Sequence, residues 1–252
     1  MLEKRVLELR IDGKAFVSPD GVRRSVLGHV AFSVAAGEVV GLLGASGIGK
    51  STILRIALGL DAAFDGTVRR GTERVGVMFQ EPRLLPWLTV GDNLRVVGKD
   101  GMPTPDIGAL LDAVRLPNAE ALYPRQLSLG MARRASLARA LAVSPELLVL
   151  DEPFASLDPQ LAAALGSVVA GWARRTGAAV LLATHDLGQA LAFVSRLLVL
   201  SGQPATLAAD LPVRAEDGPA RAALHASMVD TFGFLDTGAG QGECEGGSEV
   251  PG

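Results

Sequence analysis

The stretch Gly44-Ala45-Ser46-Gly47-Ile48-Gly49-Lys50-Ser51 decides the reading of this chain. An apolar run with Val39, Val40, Leu42 and Leu43 precedes it and reads as a buried strand. Thr52 to Leu60 follows, with Ile53, Leu54, Ile56, Ala57 and Leu60 at helical spacing. Strand, glycine-rich turn and helix is the order a phosphate-binding loop requires. Glycines permit positive φ and leave room for successive N–H groups to face a phosphate oxygen. The anion then rests on the N-terminal end of the helix, where free N–H groups and the helix dipole favour negative charge. The stretch matches GxxxxGK[ST] in full, which lets Lys50 reach the outer phosphates and the Ser51 hydroxyl meet Mg2+.

The 252 residues suffice for one large α/β domain, with or without a small inserted lobe, and for a sizeable core. Lys and Arg number 24 and Asp and Glu 27, a net charge of −3, so no global field draws the chain to nucleic acid or to a membrane surface. Cys244 is the sole cysteine and sits in a glycine- and glutamate-rich tail, which excludes a disulfide framework or cysteine metal site within one chain. A cytosolic compartment is expected. The N-terminus lacks the apolar core of a signal peptide and no apolar run reaches bilayer-spanning length, so a membrane role is expected to come through a partner.

In chain order, Val6 to Ile11 reads as a strand turned by Asp12-Gly13-Lys14. Phe16 is then a lone aromatic, which spacing alone places in the core at a sheet edge; the other reading is a stacking platform for a nucleobase. Val26 to Val34 and Val39 to Leu43 read as two further strands joined through Ala36-Gly37-Glu38. Gly66 to Val68 and Arg74 to Phe79 are short strands, the second ending at Gln80, an amide placed to reach a metal or water at the phosphate end of the sheet. Glu81 to Val90 carries two prolines and large apolar residues including Trp87; it reads as a satellite core or a protein-binding surface. Val90 to Leu122 is a helical stretch broken by Gly98, Gly101, Pro103, Pro105 and Pro117, with Ile107, Leu110, Leu111 and Val114 on one face. A helix from Met131 to Val143 follows, with Arg133, Arg134 and Arg139 on its polar side; Ser128 and Gly130 before it form an ordinary cap or a second anion site.

Leu147-Leu148-Val149-Leu150-Asp151-Glu152 is an all-apolar strand ending in two carboxylates. Burial on both faces implies a parallel sheet, and carboxylates at such a strand's end emerge at the ligand crevice. Asp151 is then an anchor for Mg2+ or its water, and Glu152 can face an attacking water as general base. Ala155-Ser156-Leu157-Asp158-Pro159 turns into a helix from Gln160 to Arg175. The buried strand Ala178 to Ala183 ends at Thr184-His185-Asp186, which brings His185 to the same edge. Gln203 to Leu211 reads as a strand and Ala220 to Phe232 as a helix; residues 236–252 read as a disordered tail.

In order and context these segments resemble the ATPase subunit of an ATP-binding cassette (ABC) transporter: Walker A (Gly44 to Ser51), Q-loop (Gln80), signature (Leu127 to Met131), Walker B with its glutamate (Leu147 to Glu152), D-loop (Ser156-Leu157-Asp158) and switch histidine (His185). The stretches Phe79 to Val90 and Asp151 to Asp158 further resemble importers of nitrate, sulfonates, taurine and related solutes. The resemblance implies ATP and Mg2+ as cofactors. Phe16 would stack on adenine, and the backbone and side chains of Gly44, Ala45, Ser46, Gly47, Ile48, Gly49, Lys50, Ser51 and Thr52 would cradle the phosphates. Ser51 and Gln80 would ligate Mg2+, with Asp151 acting through water; Glu152 would polarise the attacking water and His185 would contact the γ-phosphate. Ser128 and Gly130 would act in trans, from a second copy joined head to tail by ATP. Integral membrane permease subunits would meet the loop from Pro82 to Trp87, and a solute-binding protein would complete the system. The chain would then lie in the cytoplasm, peripheral on the inner face of the cell membrane.

The sequence departs from the family pattern at Leu129, where glycine is usual, at Ala132-Arg133-Arg134, at Gln189 and at Ser195. The expected fold is α/β: a P-loop NTPase core with a mixed sheet, an antiparallel β edge and an inserted α-helical subdomain at about 85–145, in a single domain spanning 1–235. A rival reading is a regulatory or assembly protein that binds nucleotide and turns over slowly because of Leu129; retention of both Glu152 and His185 argues against it. Action on nucleic acid is disfavoured by the single cassette and the absence of a basic stripe.

Overall fold

The computed structural model describes residues 4–98, 104–155, 157–213 and 218–233. In chain order they form β1 (Arg5–Val17), β2 (Arg23–Leu27), β3 (Val30–Ala35), β4 (Val39–Leu43), α1 (Lys50–Ala57), β5 (Asp65–Arg70), β6 (Val75–Met78), α2 (Val90–Arg95), α3 (Ile107–Ala113), α4 (Leu129–Ala142), β7 (Leu147–Asp151), α5 (Pro159–Thr176), β8 (Ala179–Thr184), α6 (Leu187–Leu191), β9 (Arg196–Ser201), β10 (Thr206–Pro212) and α7 (Gly218–Thr231). Ser156, Gly101, Pro103, Cys244 and the tail at 236–252 lie outside the described residues.

The central sheet has the order β10-β9-β4-β8-β7-β6, parallel from β9 to β6, with β10 antiparallel at one edge. Its inner strands β4, β7 and β8 are buried at every position, with polar residues only at their C-terminal ends, because both faces are covered. Alternation assigns the faces: Val39 and Leu43 of β4 join Leu148, Leu150, Val180 and Leu182 in a core shared with α2 to α6. Val40 and Leu42 join Leu147, Val149, Leu181 and Leu198 in a second core with α1 and the antiparallel sheet. The described helices between 90 and 142 pack into the first core through Val90, Leu94, Ile107, Leu111 and Val114.

The second sheet is antiparallel and is organised by β1, which pairs with β3 over Arg5–Ile11, with β5 over Leu7–Gly13 and with β2 over Lys14–Val17. The expected turn at Asp12-Gly13-Lys14 is thus absent. Gly13 stands opposite Asp65, and β5 keeps the backbone extended through a local turn signal. The single strand expected from Val26 to Val34 is two strands, since the Gly28 N–H leaves the ladder to donate to the Ala205 carbonyl at 2.8 Å. In the β1/β2 pair, Lys14 faces Leu27 and Ala15 faces Ser25, so Val26 is the extra residue of a β-bulge. That bulge sends Val26 and Leu27 toward the glycine-rich turn: a Cβ added at Gly49 would lie 2.6 Å from Leu27 Cδ2 and 3.3 Å from Val26 Cγ1.

Candidate functional site

Four parallel strands deliver their C-terminal ends to one edge. In sheet order, β4 leads to the glycine-rich turn, β8 to His185, β7 to Asp151 and Glu152, and β6 to Gln80. Register fixes the alignment, with Leu43 opposite Thr184, Asp151 opposite Ala183 and Met78 opposite Leu150. The turn itself needs its glycines. Gly47 has φ 77° and Gly49 φ 117°, left-handed conformations that L side chains rarely adopt. Gly49 is the N-cap of α1, and at Gly44 an added Cβ would stand 2.9 Å from Ile48 Cγ2.

Lys50 is buried, and its Nζ donates to the carbonyls of Gly44 at 2.7 Å and Ala45 at 3.1 Å, with Glu152 Oε1 3.6 Å away. Burial lowers its pKa against the opposing pull of Glu152 and Asp151. Glu152 has φ 48°, unusual for a residue with a Cβ, and its N–H donates to the Ala183 carbonyl at 2.9 Å. Its carboxylate oxygens both lie 3.0 Å from His185 Nδ1. An ionised Glu152 selects the tautomer with the proton on Nδ1, which leaves Nε2 to face a ligand.

Asp151 is buried and its Oδ1 has no hydrogen-bond partner, although nearly every buried polar atom in a folded protein has one. Burial raises its pKa and the Glu152 charge adds to the rise, while Ser51 and Lys50 act in the opposite sense. A cleft of about 200 Å³ is lined by Ser46, Gly47, Lys50, Ser51, Gln80 and Glu152, with Thr52 at its wall. A neighbouring cleft of about 490 Å³ is lined by Ser51, Arg55, Gln80, Glu81 and Asp151. Ser51 and Gln80 border both, and Gln80 is exposed with its amide free of hydrogen bonds among the described residues. A hydroxyl, an amide and an unsatisfied carboxylate oxygen form a donor set suited to a small hard cation. No group of three or more His, Cys, Asp or Glu among the described residues could hold a metal alone, so such a cation would need ligand oxygens from elsewhere, such as phosphates.

Phe16 is 46% exposed, which overturns the core placement that spacing alone favours. It pairs with Arg24 on β2, the strand whose Val26 and Leu27 lie against Gly49. Ser128 and Gly130 line neither cleft. The Ser128 hydroxyl accepts the Met131 N–H at 3.2 Å as the N-cap of α4, so the cap reading holds. Leu129 stands beside it with 58% of its surface exposed.

Three polar residues make contacts that the sequence reading did not anticipate. Arg133 is buried, not on the polar side of α4, and its guanidinium bonds to the Ala155 carbonyl beyond the carboxylate pair. Arg139 donates to the carbonyls of Pro82 at 3.0 Å and Arg83 at 2.7 Å. Asn93 is fully buried; its Oδ1 accepts the Leu85 N–H at 2.7 Å, and its Nδ2 lies within 3.2 Å of the Leu85, Leu88 and Thr89 carbonyls. Asn93 thereby shapes the loop that leaves Trp87 70% exposed. The signal available was Asn93 itself, a polar residue between core positions Val90 and Leu94 of a helix.

A family model described as ABC transporter matches residues 27–155. The aliphatic sulfonates import ATP-binding protein SsuB 2 of Burkholderia lata is 39% identical over 240 residues, covering 90% of this chain and 86% of that protein. The protein of the same name from Burkholderia cenocepacia is 40% identical over 249 residues, covering 93% and 90%. Among solved structures, the dimeric structure of MJ0796, a bacterial ABC transporter cassette, superposes with a TM-score of 0.75 at 24% identity, covering 82% of this chain and 99% of that one. At that identity the likeness speaks for the fold.

Proposed function

The chain belongs to the ABC transporter family, and from that premise we propose that it is the ATP-hydrolysing subunit of an importer for a small sulfonate-like solute. The observation that carries the catalytic part is the convergence of Lys50, the Glu152–His185 pair and the unsatisfied Asp151 Oδ1 at one sheet edge. ATP would lie over the glycine-rich turn, with its phosphates drawing Lys50 away from the Gly44 and Ala45 carbonyls and its adenine against Phe16. Mg2+ would be held by Ser51 and Gln80, with Asp151 behind it, and would neutralise phosphate charge. Glu152 accepts the proton of an attacking water, and His185, oriented through Nδ1, presents Nε2 to the γ-phosphate. Phosphoryl transfer asks mainly for this positioning and charge neutralisation.

Ser128 and Gly130 line neither cleft, which supports a role opposite the nucleotide of a second copy in a head-to-tail dimer. Leu129 is exposed and takes no part in the core, and the retained Glu152–His185 pair favours active turnover over the slow regulatory reading. The loop from Pro82 to Trp87, clamped by Arg139 and Asn93, offers Trp87 to membrane subunits. No helix among the described residues is long and apolar enough to cross a membrane, so anchorage at the inner face would come from those subunits, with a solute-binding protein supplying the cargo. The solute class follows the names of the curated relatives. Deleting the gene should abolish growth of its host on an alkanesulfonate as sole sulfur source and spare growth on sulfate. Unchanged growth on the sulfonate would remove that cargo while leaving the ATPase reading intact.

A further inference from the structure

Lys14 lies two residues before Phe16 on β1, yet its side chain is only 3% exposed. Its Nζ donates to Asp61 Oδ1 at 2.7 Å and to the Ala63 carbonyl at 2.7 Å, and stands 4.6 Å from the centroid of the Phe16 ring. The same Asp61 oxygen accepts the Ala63 N–H at 3.1 Å. Burial opposes ionisation of Asp61, but the bonds from Lys14 and the Ala63 backbone outweigh it and hold the carboxyl below its ordinary range. A buried ammonium is costly unless fully paired, and a strand edge has no need of one.

The location gives the ammonium a purpose. Asp61 follows the C-terminal turn of α1, the helix that begins at Lys50 and carries the phosphate turn. One set of contacts therefore ties the aromatic end of β1 to the far end of the phosphate helix. The cation stacks over the Phe16 ring, and nearly half of that residue's surface stays open to solvent.

We infer that Lys14, clamped by Asp61, is a positioning residue for the nucleobase: it holds the Phe16 ring as a platform and fixes that platform relative to the phosphate turn. The inference rests on the reading of Phe16 as the base contact. Lys14 itself touches no part of the nucleotide, so its effect passes entirely through the ring.

The test is calorimetric titration of the full chain with ATP and with inorganic tripolyphosphate, which has the phosphates and no base. The pair Lys14→Met/Asp61→Leu removes both charges and leaves no buried ion unpaired. It should raise the Kd for ATP about tenfold and leave that for tripolyphosphate within about twofold. Lys14→Arg alone, which keeps the cation and its Asp61 partner, should retain most of the parent's ATP affinity. In a Phe16→Ala background the pair should add no further loss. Equal weakening of both ligands, or a full additional loss on top of Phe16→Ala, overturns the inference. If Phe16→Ala weakens ATP while the pair does not, Lys14 is excluded and the base contact stands. If Phe16→Ala leaves ATP binding unchanged, the reading of Phe16 falls and the inference with it. Should the pair fail to fold, Asp61→Asn serves in its place: it loosens the clamp, and ATP should weaken two- to fivefold with tripolyphosphate unaffected.

Discussion

His185 Nδ1 stands 3.0 Å from both carboxylate oxygens of Glu152, so the imidazole and the acid form one hydrogen-bonded unit. Glu152→Gln keeps the side-chain shape and removes the base. ATP affinity should stay within about threefold, while phosphate release falls by about 100-fold or more and a nucleotide-bound dimer accumulates on size exclusion. Equal turnover in mutant and parent would remove Glu152 from catalysis.

Leu129 is exposed in the first turn of α4 and packs into no core. Leu129→Gly should therefore change steady-state MgATP hydrolysis by less than about threefold and cost less than about 1 kcal/mol of stability. With Glu152→Gln as the blank, a parent that matches the blank and a Leu129→Gly variant that turns over would instead favour the slow regulatory protein.

Asn93 satisfies a loop through several hydrogen bonds. Asn93→Ala leaves the Leu85 N–H and several carbonyls without their partner, a loss of about 2–3 kcal/mol that thermal unfolding would register. ATP affinity should be unaffected, because no Asn93 contact reaches the phosphate cleft. Weakened capture of membrane subunits with intact ATP binding is the expected pattern; a matching loss of ATP affinity would refute the separation.

Burial raises the Asp151 pKa above the ordinary 3.8. Between the two values the folded protein keeps a proton that the unfolded chain has released. Asp151 therefore contributes most at low pH, and its contribution declines as pH rises through its folded pKa. The melting temperature of the nucleotide-free parent, measured relative to Asp151→Asn, should fall as pH rises from about 4. At a pH just above 3.8, binding of MgATP should release more protons in the parent than in Asp151→Asn, which calorimetry in buffers of different ionisation enthalpy would detect. Identical pH profiles would sink this account.

The central sheet was legible because β4, β7 and β8 are apolar runs that end in distinctive residues: glycines after Leu43, two acids after Leu150, a histidine after Thr184. Those ends also located most of the site. The antiparallel sheet was less legible. Asp12-Gly13-Lys14 has the composition of a turn, and it is kept extended by Gly13 pairing with Asp65 on β5, some fifty residues later, and by Lys14 pairing with Leu27 on β2. Arg133 belongs by helical period with its charged neighbours, but its direction is set by an Ala155 carbonyl that no periodicity reports. Lys14 has the local sequence of a turn residue, and its partner Asp61 lies 47 positions away. What sequence order conceals here are polar contacts closed by tertiary packing.

Glu152 keeps a left-handed backbone that glycine or asparagine would adopt with less strain. A breeding experiment that rewards only heat resistance should thus drift toward Gly or Asn at this position and lose the enzyme while improving the fold. A contest scored on product formation should hold Glu152 fixed and seek its gains elsewhere. Position 152 is where durability and work diverge in this protein, and an engineer who optimises one without assaying the other will discover the conflict there first.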